Sequence, residues 1–500
     1  MSGVRVAQRE HDELVVRPRV RPDRVVWAIF VGVAAVYAVF AVTCYAQYRT
    51  AGYDLGIFDQ AVRAYAHLRL PVATLKGDGY DVLGDHFDPI VALWAPLYWL
   101  WDDVRMLLVG QAVVVASAVF PVHRFVARRV GAPWSYLVTA GFALGWPVQS
   151  LVNFDVHEVA FAVPLLAWAI DALDRRSDRE LAIVAGLLLL VREDMGLVVA
   201  VLGLIRLARA GRRWVGVVLV VGGLAAFMLI AAVVMPHLAP TGSVARLQQQ
   251  YSQLGSGPGG ILLGAVRNPW HTVSLLVSPS VKVQTLLLLL VPLALLPLLS
   301  PYALLAVPLL AERFLSDRPL TWQTGFHYDA PIWVVLVLAA VDAFGRRPLR
   351  RAAWARHGPA AVAVLLVGAV LVGPWLAPSV FPLRRMVDGS AFTSTAGDMA
   401  AAIAVVPADT CVVADDYVAD HLTHTNRVTV AGVSRHREDF YVLDLSQTPS
   451  VGTPVARTTP YALAAATAQG FTQVFRSGSI VVLRSPLYEG PASDCTPDSS

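Results

Sequence analysis

Five short segments hold the residue types that acid–base or ion-assisted chemistry requires. Tyr53-Asp54-Leu55-Gly56-Ile57-Phe58-Asp59-Gln60 carries two carboxylates, and Gly84-Asp85-His86-Phe87-Asp88-Pro89 adds two more beside an imidazole. Asn153-Phe154-Asp155-Val156-His157-Glu158 sets Asp155, His157 and Glu158 close together, the mixed oxygen and nitrogen donors of a proton-transfer site or of a divalent-cation site. Arg192-Glu193-Asp194 breaks an otherwise apolar stretch, and Phe326-His327-Tyr328-Asp329 lies in a short polar interval.

Each segment also has a plainer account. Asp54 and Asp59 are of the type that is often solvated or caps a helix. Asp88 before Pro89 fits the start of a helix, with Asp88 as cap and Pro89 at the first helical position. Short hydrated loops resemble 155–158, and His327 with Tyr328 fits an ordinary interfacial loop. Arg192, Glu193 and Asp194 have no room for a long loop, so function or a buried ion-pair network is the stronger account there.

The elements that carry these segments are apolar. Of 500 residues, 56% are hydrophobic and 15% charged, and the mean hydropathy of +0.57 points to the bilayer as solvent. The isoelectric point near 9.0 does not signal nucleic acid, because the net charge is only +4 and the arginines cluster between apolar runs. Three cysteines imply neither a thiolate metal site nor a disulfide framework, although Cys411 and Cys495 are free to pair.

A crossing helix needs about 20 mostly apolar residues. The candidates are Val25 to Cys44, Val104 to Val122, Trp134 to Ser150, Val159 to Leu173, Leu181 to Val191, Met195 to Leu207, Val215 to Met235, Val283 to Leu299, Pro301 to Leu315, Ala330 to Phe344 and Pro359 to Leu376. Arg5, Arg9, Arg17, Arg19, Arg21 and Arg24 precede the first of them and predict a cytoplasmic N-terminal tail over residues 1–24. About eleven spans keep four further clusters cytoplasmic: Arg124/128/129, Arg175/176/179, Arg206/209/212/213 and Arg346/347/350/351. Phe87 to Trp101 then has to be interfacial or partly inserted, since a full crossing would reverse the parity.

The expected architecture is therefore an all-α polytopic membrane bundle over 25–377, with a first outer loop at 45–103. Beyond it, 378–500 reads as a small extracytoplasmic α/β domain. Its strands are expected at Thr410 to Ala414, Arg427 to Val430, Tyr441 to Leu443 and Ile480 to Leu483, and its helices at Gly397 to Val405 and Pro460 to Gln469. On this topology all five polar segments fall on the outer membrane face, which predicts an outward cavity lined by their acids, histidines and arginines.

The order YDLGIFDQ, GDHFDP followed by Gln111, NFDVHE, RED and HY resembles a bacterial and archaeal family of predicted membrane proteins labelled as a domain of unknown function. That family is in turn similar to the GT-C glycosyltransferases, which take sugars from polyprenyl-phosphate carriers. The resemblance implies a lipid-linked sugar donor and an acid soon after the first span as catalytic base, a place that Asp54 occupies. Asp59, Asp85 or Asp155 then supplies a second carboxylate, with His86 in the same outer group. Arg192 with Glu193 and Asp194, Arg313, and His327 with Tyr328 are the candidates to face the anionic leaving group. A divalent cation would fall to Asp155, His157 and Glu158. Two other classes compete. A transporter should show inverted repeats, which the sequence lacks, and a non-catalytic sensor or scaffold needs no dense outer cluster of acid and histidine.

Overall fold

The computed structural model describes residues 22–239, 249–344, 358–392, 396–433, 437–448, 455–491 and 495. Arg5, Arg9, Arg17, Arg19, Arg21, Arg346, Arg347, Arg350 and Arg351 lie outside these.

Helix α1 (Arg24–Ala46) opens on Asp23, whose side chain accepts from the Val25 and Val26 amides at 3.0 and 3.1 Å. This satisfies two of the first-turn donors that every helix leaves open. Its Trp27, Val31 and Val39 are exposed while Tyr37 and Phe40 are buried, so one face meets lipid and the other the bundle. Among the described residues three helices are long and apolar enough to cross a membrane: α1, α2 (Arg105–Ala127) and α6 (Arg213–Leu238). The bent pair Pro269–Val277 and Ser280–Leu293, at 69°, makes a fourth if it forms one span.

Other expected spans are shorter or broken, for local reasons. Trp134 to Ser150 splits at Gly145, into Trp134–Ala143 and Trp146–Asn153 with Pro147 in the first turn of the second piece. The run after Ser280 breaks where Ala294 and Leu295 adopt positive φ. Pro89 to Leu100 is a short apolar helix of about 18 Å, too short to cross, and it exposes Leu93, Trp99 and Leu100.

Three helices share one polarity of ends. Helix α3 (Val159–Arg175) follows Glu158, α5 (Met195–Leu207) follows Asp194, and α7 (Asp329–Ala343) follows Tyr328; α4 (Asp178–Leu188) lies between the first two. At its other end α3 places Asp171 and Asp174 against Arg128 at 2.5 and 3.0 Å, and Arg129 bridges Asp174 to Asp342 of α7 at 2.6 and 3.1 Å. Arg206 at the end of α5 pairs with Asp178 at 2.7 Å. Arg128, Arg129 and Arg206 and the five polar segments thus stand at opposite ends of the bundle, about 25 Å apart along α3.

After helix α8 (Gly358–Leu376) comes the α/β unit: helix α9 (Ala396–Val405), strand β1 (Cys411–Ala414), α10 (Asp416–Leu422), β2 (Arg427–Thr429), β3 (Phe440–Asp444), α11 (Thr459–Ala468), β4 (Thr472–Ser477) and β5 (Ile480–Arg484). The sheet order is β2-β1-β3-β5-β4, parallel from β2 through β3 and antiparallel beyond. Strands β1 and β3 are wholly buried, because helices cover both faces of the sheet. One face packs Tyr441, Leu443 and Val481 on Ala462 and Ala466 of α11. The other packs Val412, Phe440 and Val482 on Met399 and Val418, and its core continues into Ile57, Ala61, Leu75 and Val82. The first outer loop is therefore part of the sheet's hydrophobic core. Cys411 and Cys495 form a disulfide, and Cys44 is a buried free thiol.

Candidate functional site

Asp54 lies in a π-helical turn, Gly52–Gly56, between α1 and the loop helix Ile57–Ala66. Its Oδ1 is 3.5 Å from His157 Nε2. The His157 ring stacks on His327 with centroids 3.7 Å apart, and His327 lies 4.0 Å from the Tyr328 ring. Nδ1 of both histidines is buried and has no hydrogen-bond partner among the described residues.

The loop that delivers His157 is held by Gln111. Its Nε2 donates to the Asp155 carbonyl and its Oε1 accepts the His157 N–H at 2.8 Å. Asp155 adopts positive φ, 58°, which Asp tolerates better than most residues. Its carboxylate accepts the Ala51 N–H at 2.8 Å. Burial, and then the charge of Asp54, push Asp155 well above the usual carboxylate range.

Arg192 is the hub of the second half of the cluster. It forks onto Asp194 at 2.8 and 2.7 Å and reaches Glu312 at 3.1 Å, while its Nη1 stays 3.7 Å from Glu158. His86 Nδ1 faces Glu193 at 3.0 Å, and the Phe87 N–H donates to the other Glu193 oxygen at 3.1 Å. Burial opposes charge on His86, but Glu193 outweighs it and raises the imidazole to about 10. His327 is driven the other way by burial, then by His157 and Arg192, so it is neutral at pH 7.

The structure therefore brings together Asp54, Asp155, His157, Glu158, Arg192, Glu193, Asp194, His86, His327 and Tyr328. Three other candidates are held by partners of their own, although the Arg313 guanidinium also lies 5.3 Å from the Tyr328 ring centroid. Asp59 is buried under Tyr98 and Thr423 hydroxyls at 2.7 and 2.8 Å and faces Arg63 at 3.3 Å. Asp85 pairs with Lys76 and accepts from Tyr80; burial raises its proton affinity, yet Lys76 and His86 prevail and hold it at about 2. Arg313 is buried against Asp329 at 2.5 Å and donates to the Thr321 carbonyl at 2.8 Å. Asp155, His157 and Glu158 turn to three different partners, and among the described residues no group of three or more His, Cys, Asp or Glu is arranged to hold a metal ion.

Three members of the neighbourhood escape sequence reading. Asp88 makes no capping bond; it is buried with Oδ1 unpartnered among the described residues, and burial followed by Glu158 raises it far above its usual range. Its presence in GDHFDP was the available signal, absorbed by the Asp-Pro helix-start pattern. Glu312 has the signal of any acid in an apolar run. Asp416, which accepts the Tyr53 N–H at 2.7 Å, has none.

Residues 45–451 match the family described as "Predicted membrane protein (DUF2079)". No curated protein matches the chain. Among solved structures, the chain is similar to ArnT from Cupriavidus metallidurans bound to undecaprenyl phosphate, at 14% identity and a TM-score of 0.50, covering 92% of this chain and 98% of that one. At that identity the likeness shows the fold alone.

Proposed function

The chain belongs to this family of predicted membrane proteins, and from that premise we propose that it is a glycosyltransferase moving a sugar from a polyprenyl-phosphate carrier to an extracytoplasmic acceptor. The observation that carries the proposal is the placement of Asp54 against His157, beside the stacked His327 and the Arg192 network, in a fold similar to one whose structure holds undecaprenyl phosphate.

In the proposed reaction the acceptor hydroxyl attacks the anomeric carbon. The new carbon–oxygen bond forms as the bond from that carbon to the phosphate oxygen breaks, and the hydroxyl proton passes to Asp54. One direct displacement inverts the anomeric centre. The lipid phosphate leaves as an anion, toward the Nη1 edge of Arg192, where Glu158 is no nearer than 3.7 Å, and toward the neutral His327 and the Tyr328 phenol. Buried donors aimed at that oxygen act in a low dielectric, where they are strongest. Glu193 and Asp194 hold His86 and Arg192 in place.

We place this end outside the cytoplasm. The disulfide at Cys411 and Cys495 belongs to an oxidising compartment, and the arginine end of the bundle then faces the cytoplasm. The test is release of undecaprenyl phosphate from a panel of undecaprenyl-phosphate sugars by protein in nanodiscs, with a mixture of cell-wall glycans as acceptor. Wild type should release carrier and Asp54→Asn should not; equal release by both would remove Asp54 from the mechanism.

A further inference from the structure

Asp416 stands in the first turn of α10, 363 positions along the chain from the residue it touches. It takes the N–H of Tyr53, the amide next to Asp54, at 2.7 Å. Around this bond α10 presses on the whole π-helical turn. A Cβ on Gly52 would overlap that of Ala419, and one on Gly56 would meet Thr423 Cγ2 at 3.4 Å and Asp420 Cα at 3.5 Å. Thr50 Oγ1 donates to Asp420 at 2.5 Å, and Tyr45 and Tyr48 each stack on His421 with centroids 4.0 Å apart. From the segment before α11, Arg457 donates to the Tyr53 hydroxyl at 3.1 Å. A π-helical turn bounded by glycines has little shape of its own, so its geometry is set by what it touches.

We propose that Asp416 is a positioning residue for the base: through it the C-terminal unit fixes the direction in which Asp54 faces His157 and the acceptor. This rests on the transferase proposal above. Asp416 also brings a second carboxylate to Asp54 from a part of the chain that the YDLGIFDQ motif does not contain. The two sense each other, since burial, followed by the charge of Asp54, raises Asp416 to about 6. Asp155 is raised by the same neighbours, with Asp420 alongside.

The test uses the full chain in nanodiscs. Asp416→Ala removes the acceptor, whereas Asp416→Asn keeps an oxygen able to take the Tyr53 N–H. Hydrogen exchange of peptides covering 50–58 reads the turn directly. Exchange should quicken about tenfold in Asp416→Ala, the scale of one lost hydrogen bond to a charged group, and stay near wild type in Asp416→Asn. Strands β3 and β5 should remain protected in both. With undecaprenyl-phosphate sugars as donor probe, kcat should fall about tenfold or more in Asp416→Ala with KM within about twofold, and Asp416→Asn should recover it.

Unchanged exchange at 50–58 in Asp416→Ala would overturn the positioning role whatever the donor assay gives. If wild type transfers no sugar, the transferase proposal fails, and the exchange result still decides whether Asp416 holds the turn. Should Asp416→Ala lose protection throughout the sheet, Asp416→Glu takes its place. It keeps the charge but displaces the oxygen by one methylene; faster exchange at 50–58 is expected, and an unaltered turn would overturn the proposal.

Discussion

Two carboxylates of the cluster are about one third exposed, Asp54 at 30% and Glu312 at 34%, against 5% for Glu158 and 8% for Asp194; Glu312 is held by Arg192 at 3.1 Å, which leaves Asp54 as the open acid without an arginine partner among the described residues. A base must reach the proton it removes, whereas a buried, paired acid holds structure. Asp54→Asn should therefore lower turnover by about 10²-fold or more with no loss of membrane abundance, read by carrier release and by quantitative blotting. The His86–Glu193 pair predicts a pH effect. The folded imidazole is raised from 6.5 to about 10, so its contribution to stability is fully present below 6.5 and is lost as pH rises towards 10. Thermal unfolding midpoints should fall across that interval in wild type and fall less in His86→Gln; parallel slopes would show that the pair does not matter.

At the scale of elements, α5 and α6 meet through small residues. A Cβ at Gly203 would lie 2.6 Å from the Val220 nitrogen and 2.7 Å from the Gly216 carbonyl, and one at Gly196 would lie 2.6 Å from the Gly223 carbonyl. Close backbone approach is what small residues supply in a bilayer. Gly203→Leu should cost about 1–3 kcal/mol, seen as a lower unfolding midpoint, while Gly222→Leu, with open space around it, should be silent. Much at this scale was legible in the sequence, because it is local. The strands expected at Thr410 to Ala414, Arg427 to Val430, Tyr441 to Leu443 and Ile480 to Leu483 agree with β1, β2, β3 and β5 to within a residue or two at either end, and the two helices of that unit agree as well. Strand β4 escaped because Thr472–Ser477 is mostly exposed and carries no apolar run. Helix α10 escaped because Asp416–Leu422 is only seven residues long and shows no clear period. The breaks in the expected spans were harder to foresee, since hydropathy averages over the glycine and proline turns that cause them.

At the scale of the whole molecule, the site belongs to two parts of the chain at once. The five motif segments were legible as a group, because one topology sends them all to one face. Which acid remains open and which is sealed was not, because that depends on contacts such as Asp59 with Thr423 and Tyr53 with Asp416, more than 360 residues apart. Hydrophobic burial ties the parts together: Ile57 and Leu75 of the first loop share a core with Val412 and Phe440 of the sheet. The disulfide closes a separation of 84 residues, for which about 2–5 kcal/mol of stabilisation is typical. Cys411→Ser should loosen the sheet by that order, and because the core is shared it should also speed proteolysis within 45–66. Cleavage confined to residues beyond 396 would contradict the shared core.

The most direct test of the central claim is binding of undecaprenyl phosphate to the purified chain, measured by native mass spectrometry. Wild type, Asp54→Asn and Arg192→Lys would be compared; the lysine keeps the charge but loses the planar fork that meets Asp194. Binding by wild type and Asp54→Asn within about twofold, and at least about tenfold weaker binding by Arg192→Lys, is the predicted result. No binding by wild type, or equal binding by all three, would contradict a carrier phosphate seated beside Arg192.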